Sequence, residues 1–109
     1  MATSRPLAAV EWIARSDDIG VRINTLPAGQ GTPWHFHSAV TDNVFCLDDA
    51  IEIGLRDPDE RVSLRPGQRM EIPPRRVHRV VNPSGQAVRY LLIQATGPYD
   101  FNEVGDEPA

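Results

Sequence analysis

A chain of 109 residues has room for one hydrophobic core, since a domain of this size buries only about two-thirds of the surface its unfolded chain exposes. Its net charge of −4 argues against a nucleic-acid-binding face, which needs clustered Lys and Arg. A single cysteine, Cys46, excludes an intrachain disulfide, and no apolar run approaches the roughly 20 residues of a membrane span, so a soluble, cytoplasmic protein with no membrane partner is expected.

In chain order, residues 1–20 contain "AAVEWIAR" (8–15), which reads as a short helix or an edge strand. Residues 21–98 then carry an all-β rhythm of short β-branched or alternating runs. These are "VRINTL" (21–26), "WHFH" (34–37), "NVFCL" (43–47), "AIEIGL" (50–55), "RVSL" (61–64), "RMEI" (69–72), "VHRVV" (77–81) and "VRYLLIQA" (88–95). Turn signals such as "LPAGQG", "RDPDE", "RPGQ" and "NPSGQ" separate them, and Asn82 begins the last of these turns. Residues 99–109 read as a C-terminal tail whose acidic "GDEPA" end frays. With no long helical period and no βαβ crossover, the runs indicate an antiparallel sandwich, barrel or jelly roll.

Ile51, Ile53 and Leu55 fall on one face of their run, the alternation of a half-buried strand. In "NVFCL", Asn43, Phe45 and Leu47 share one face while Val44 and Cys46 occupy the other, so both sides need cover; Cys46 is expected to be a small buried apolar residue facing away from any cavity. Trp34 and Phe36 likewise oppose His35 and His37. Apolar residues on a second face imply a neighbouring sheet or a partner subunit.

His35 and His37 stand at i and i+2 of an extended segment, on one side, with Cα atoms roughly 6.5 Å apart. The one other histidine, His78, lies in another strand-like segment, and if the two pair as antiparallel neighbours about 4.8 Å apart, three imidazoles share a centre. A divalent transition metal (Fe, Zn, Ni, Mn or Cu) suits such ligands.

"GQGTPWHFHSAVTDNVFCLDDA" resembles the first cupin motif: Gly29, five residues, His35-x-His37, a short loop, a metal-facing position at Asn43, and six residues to a turn at Ala50. "GQRMEIPPRRVHRVVN" resembles the second: Gly67, five residues, Pro73, a turn position at Arg75, His78, and three residues to Asn82. The resemblance implies a single-domain jelly-roll (double-stranded β-helix) barrel, a homodimer that could give Trp34, Phe36, Val44 and the N-terminal segment 1–20 a second layer of cover, and a metal held by His35, His37 and His78. The glutamate usual in the family is here Asn43, after a loop one residue longer than usual; Asn43 could coordinate through its amide oxygen, and Asp42 could reach in if the loop slips, although alternation then turns it outward. Three neutral imidazoles leave the ion's charge uncompensated, which favours a small anionic ligand, with Arg75 and Phe45 as candidate ligand-binding residues and Arg76 and Arg79 nearby. The function so indicated is a metal-dependent enzyme on a small anionic organic molecule, with dioxygenase chemistry ahead of isomerase or lyase. The alternative is a non-catalytic module that binds or senses a small molecule.

Overall fold

The hydrophobic alternation of "AIEIGL" translates directly into a strand whose Ile51, Ile53 and Leu55 side chains are buried. The structure, a computed structural model, describes residues 3–4 and 9–105. Among these there is no helix, and every expected run lies in or beside a strand. In chain order the strands are β1 (Thr3–Ser4), β2 (Ala9–Arg15), β3 (Ile19–Leu26), β4 (Gln30–Gly31), β5 (His35–Phe36) and β6 (Thr41–Cys46). They continue with β7 (Ile51–Leu55), β8 (Glu60–Leu64), β9 (Arg69–Ile72), β10 (His78–Val81), β11 (Val88–Ala95) and β12 (Asn102–Glu103).

Two sheets result. One runs β2-β3-β11-β6-β9, antiparallel throughout. In the other, β10 is central: β7 and then β8 lie along one edge, β4 and β5 follow one another along the opposite edge, and β12 lies beyond β5. Among the described residues only β1 pairs in parallel, with β4. Leu26, Val44, Ile51, Ile53, Ile72 and Val88 fill the space between the sheets with Tyr90 and Leu92. The architecture is a small antiparallel jelly roll.

Two sequence expectations need correction here. β6 has the opposite phase: it begins at Thr41, so Asp42, Val44 and Cys46 point inward and Asn43 and Phe45 outward. Both faces of "NVFCL" are apolar, so alternation alone could not choose, and the β6–β9 register, with Asp42 opposite the buried Ile72, settles the inward row. Val44 and Cys46 therefore take their cover from the core. One open alternative is also settled: residues 9–15 of "AAVEWIAR" form the edge strand, with a register shift between Trp12 and Ala14. Finally, the segment expected as a free tail folds back, since Asn102 and Glu103 pair with Phe36 and His35. Residues 106–109, most of the "GDEPA" end, lie outside the described residues.

Trp34 also finds its cover within the chain. The Arg56 and Arg79 guanidiniums lie 4.2 and 5.5 Å from its ring centre, and Gly54 leaves the space the ring needs: a Cβ there would come within 2.9 Å of the indole.

Candidate metal centre

Register brings the histidines together. The β5–β10 pairing sets His35 directly opposite His78, and His37 follows two residues on. Ring centres lie 4.4 Å (His35–His78), 5.0 Å (His35–His37) and 5.6 Å (His37–His78) apart, and all three side chains are buried. The fourth member comes from the facing sheet. Asp42 Oδ2 lies 3.0 Å from His78 Nε2 and 3.2 Å from His37 Nε2, and one donor atom from each of the four residues lies within 4.8 Å of all the others.

The outer nitrogens set the chemistry of the inner ones. Nδ1 of His35, His37 and His78 lies 2.7, 2.6 and 2.7 Å from the carbonyl oxygens of Pro33, Asp100 and Arg76. A carbonyl can only accept, so each Nδ1 carries the proton and each neutral ring presents the lone pair of Nε2 to the cluster. Lone pairs from three imidazoles and an ionised carboxylate then converge in a space from which water is largely excluded. Such a set repels itself unless a cation, either a proton or a metal ion, lies among the donors. Borderline nitrogen donors with one hard oxygen suit a divalent transition metal.

Charge within the cluster is uneven. Burial and the neighbouring His78 lower the His35 pKa to about 4. Burial also opposes a charge on His37, but the hydrogen bond and charge of Asp42 outweigh it and raise that ring above its ordinary value. For Asp42, burial works against ionisation, yet the bonds to His37 and His78 hold its carboxyl far below the usual carboxylate range.

Residues outside the histidine motifs complete the surroundings. Gln94 Nε2 donates to Asp42 Oδ1 at 2.9 Å, which leaves Oδ2 facing the imidazoles. Phe101 stacks on His35 with centres 4.4 Å apart and planes 20° from parallel, and Tyr99 lies 5.5 Å from His37. A cavity of about 60 Å³ adjoins the cluster, walled by Val44, Leu92 and Phe101 and reached by Arg22, Asn24 and Tyr90. Burial pushes the Tyr90 phenol up to about 12, so it keeps its proton. A polar Gln94 in phase with Tyr90 and Leu92 on the inner face of "VRYLLIQA" was a readable signal. Nothing in the composition of residues 99–103 announced their part.

Several sequence-derived candidates stand elsewhere. Asn43 points out of the barrel and accepts a hydrogen bond from Arg69 Nη1 at 2.6 Å, so Asp42 holds the position expected of Asn43. Counted from Asp42 the loop loses its extra residue, and after six intervening residues comes Asp49, whose φ of 49° makes it the left-handed turn residue in place of Ala50. Arg75 does occupy a left-handed turn, at φ 70°, and its amide donates to the His37 carbonyl, but its exposed side chain lies outside the cavity. Phe45 lies on the outer face, 5.9 Å from the Arg69 guanidinium. Arg76 binds Glu60 and the Pro58 carbonyl, and Arg79 packs on Trp34. None of these forms an anion clamp at the cluster; among the described residues Arg22 is the arginine that reaches the cavity.

Comparison with known proteins agrees with this fold. The family described as "Cupin domain" matches residues 22–94. Among solved structures, an uncharacterised protein with a double-stranded β-helix domain from Klebsiella pneumoniae superposes with a TM-score of 0.75 at 18% identity, covering 93% of this chain and 91% of that one. An oxalate oxidase superposes at 0.73 and 15% identity, covering 84% and 51%. The polyketide cyclase RemF from Streptomyces resistomycificus gives 0.71 and 22%, covering 84% and 64%. At these identities the likeness is one of fold. A search of curated proteins finds no match.

Proposed function

Since the chain belongs to the cupin family, matched over residues 22–94, and buries four converging donors, we propose that it is a mononuclear metal-dependent enzyme acting on a small organic anion. The observation that carries this reading is the fixing of all three Nδ1 protons on backbone carbonyls, which aims three Nε2 lone pairs and Asp42 at one point. Three neutral imidazoles and one carboxylate would leave a divalent ion with a single positive charge, and Arg22 adds another at the cavity, so an anion is the favoured ligand. When bound, the metal supplies Lewis acidity and, as iron or manganese, a redox route to dioxygen chemistry, which we place ahead of isomerase or lyase chemistry.

The chain's own residues do the rest. Gln94 orients Asp42, and Val44, Leu92 and Phe101 exclude water. Tyr90 holds a proton at its hydroxyl, which already accepts a bond from Asn24 Nδ2 at 3.2 Å, and can donate it to a ligand oxygen. Asp42 makes the donor set three imidazoles and a carboxylate, in place of the three imidazoles and an amide expected from the sequence, and dioxygen chemistry then depends on which metal is bound. A second reading, a binding module in which the metal anchors the ligand, is favoured by one observation: beyond the four cluster residues, Tyr90 is the one buried ionisable side chain on the cavity wall among the described residues. Val10 and Ile13, about half exposed on edge strand β2 at 47% and 54%, support the homodimer, which sedimentation would test.

Elemental analysis of purified protein beside His35→Ala/His78→Ala and Asp42→Ala variants tests the metal. We expect close to one equivalent in the wild type and loss in the variants; wild-type protein that takes up neither iron, manganese nor zinc would overturn the reading. Oxygen consumption by metal-loaded protein on small carboxylic and oxo acids then separates enzyme from binder.

A further inference from the structure

A second and larger cavity, about 270 Å³, opens beside the metal centre where β2 and β3 extend the five-stranded sheet past the core. Two cross-strand rows lead into it from the centre. One runs Asp42, Gln94, Gly20, Arg15, and the other Val44, Leu92, Arg22, Trp12. Residues in such a row share a face, so the inner face that carries Asp42 also carries both arginines and Trp12. Gly20 has no side chain, and the Trp12 ring lies over it: a Cβ there would come within 3.3 Å of the indole. Arg22, Gln94 and Tyr99 line both cavities.

The chamber is preorganised around cations and an aromatic face. The Arg15 and Arg22 guanidiniums lie 4.4 and 5.0 Å from the Trp12 ring centre, and Arg22 lies 5.7 Å from that of Tyr99. Among the described residues no carboxylate forms a salt bridge with Arg22, although it is partly buried. Asp17 and Asp18 also line the chamber, but both are exposed at its rim, where solvent screens them, and Asp18 accepts a bond from the Ser16 hydroxyl. The inner charge is therefore that of Arg22. A planar guanidinium fork without an acid partner, at the junction of two cavities, is suited to a carboxylate.

Resting on the metal-centre reading above, we propose that the ligand is an aromatic carboxylate: its acid group binds Arg22 at the junction, its oxygen substituent points to the metal centre, and its ring lies in the second chamber against Trp12. Size agrees with this assignment. A cavity of about 150 Å³ accommodates benzene, so the larger chamber holds a substituted ring while the 60 Å³ cavity admits only a head group.

The test uses benzoate, benzyl alcohol and acetate as probes, followed by NMR titration of the full chain, both metal-free and zinc-loaded. We expect benzoate to bind and Arg22→Gln to weaken it by about 10-fold or more, the loss of one charge-assisted pair, with benzyl alcohol unaffected. Trp12→Ala should weaken benzoate several-fold and leave acetate unchanged. Benzoate binding that is absent, indifferent to Arg22→Gln, or no tighter than that of the alcohol would overturn the proposal. Should Arg22→Gln not fold, Arg22→Lys and Trp12→Ala decide on the same criteria. Metal uptake by the same samples reports the metal centre separately: zinc retained without benzoate selectivity ends the chamber assignment alone, and failure to take up zinc, iron or manganese ends the metal reading.

Discussion

His78 faces His35 across the β5–β10 pair, residue against residue, and their rings lie 4.4 Å apart. A shift of β10 by a single residue would turn His78 outward and Arg79 inward. The same strand is held on its other edge by β7, with His78 opposite Leu55 and Val80 opposite Ile53, so the apolar core that fixes β10 also fixes the site.

Asp42 and Asn43 separate cleanly under mutation. Asp42→Asn keeps the shape of the side chain and removes its charge, and metal affinity should fall by at least the 10- to 100-fold typical of disturbing a supporting residue. Asn43→Glu should leave metal retention unchanged, because Asn43 faces Arg69 outside the barrel. Competition with a chromophoric chelator measures both; tighter retention in Asn43→Glu would contradict the phase of β6.

Protons should compete with the metal in two stages. In metal-free protein His37 titrates above, and His35 well below, the ordinary histidine value, the latter at about 4. Metal uptake near neutrality should therefore release a proton from His37, and affinity should fall as pH drops through its raised pKa. Only near pH 4 should His35 compete as well. For folding the signs oppose: the His37 term is fully present below about 6.5 and lost as pH rises through its folded value, whereas the His35 term is present above about 6.5 and lost as pH falls towards 4. Imidazole nitrogen shifts followed by NMR from pH 4 to 8 would show His37 protonated and His35 neutral at pH 5.5; the reverse order would contradict the placement of Asp42.

Ile53 is fully buried at the centre of the core. Ile53→Ala should cost about 2–5 kcal/mol, a large share of the roughly 5–15 kcal/mol that holds a small domain folded. Urea unfolding should show a lower midpoint with an unchanged slope.

Tyr90→Phe removes the partner of Asn24 Nδ2 and leaves a buried amide with no bond of its own. A loss of about 1–3 kcal/mol is expected. Replacing both residues, Asn24→Leu with Tyr90→Phe, should recover part of it, and a double-mutant cycle checks the coupling.

Much of this was legible in the sequence. The strand runs, the turns between them and the three histidines follow from alternation and spacing, because strand period and turn chemistry are local properties. The acidic partner was not, since "NVFCL" is apolar on both faces and its phase comes from the non-local pairing of Asp42 with Ile72. Arg75 and Phe45 were sought at the cavity because of their nearness in sequence to the motifs, yet Arg22 reaches it, from a strand that meets Leu92 some seventy residues on. Residues 99–103 carry no pattern that distinguishes a returning strand from a loose end.

That returning segment governs the order in which the centre comes into being. The Asp100 carbonyl holds the His37 ring, Phe101 covers His35, and Glu103 closes the edge of β5. During synthesis the histidines and Asp42 emerge first, but the ring of His37 stays free to turn until Asp100 has left the ribosome and docked. Ion capture would thus wait on residues 100–103, and a truncation placed ahead of residue 104 should yield a barrel with an intact core and a poorly formed binding centre.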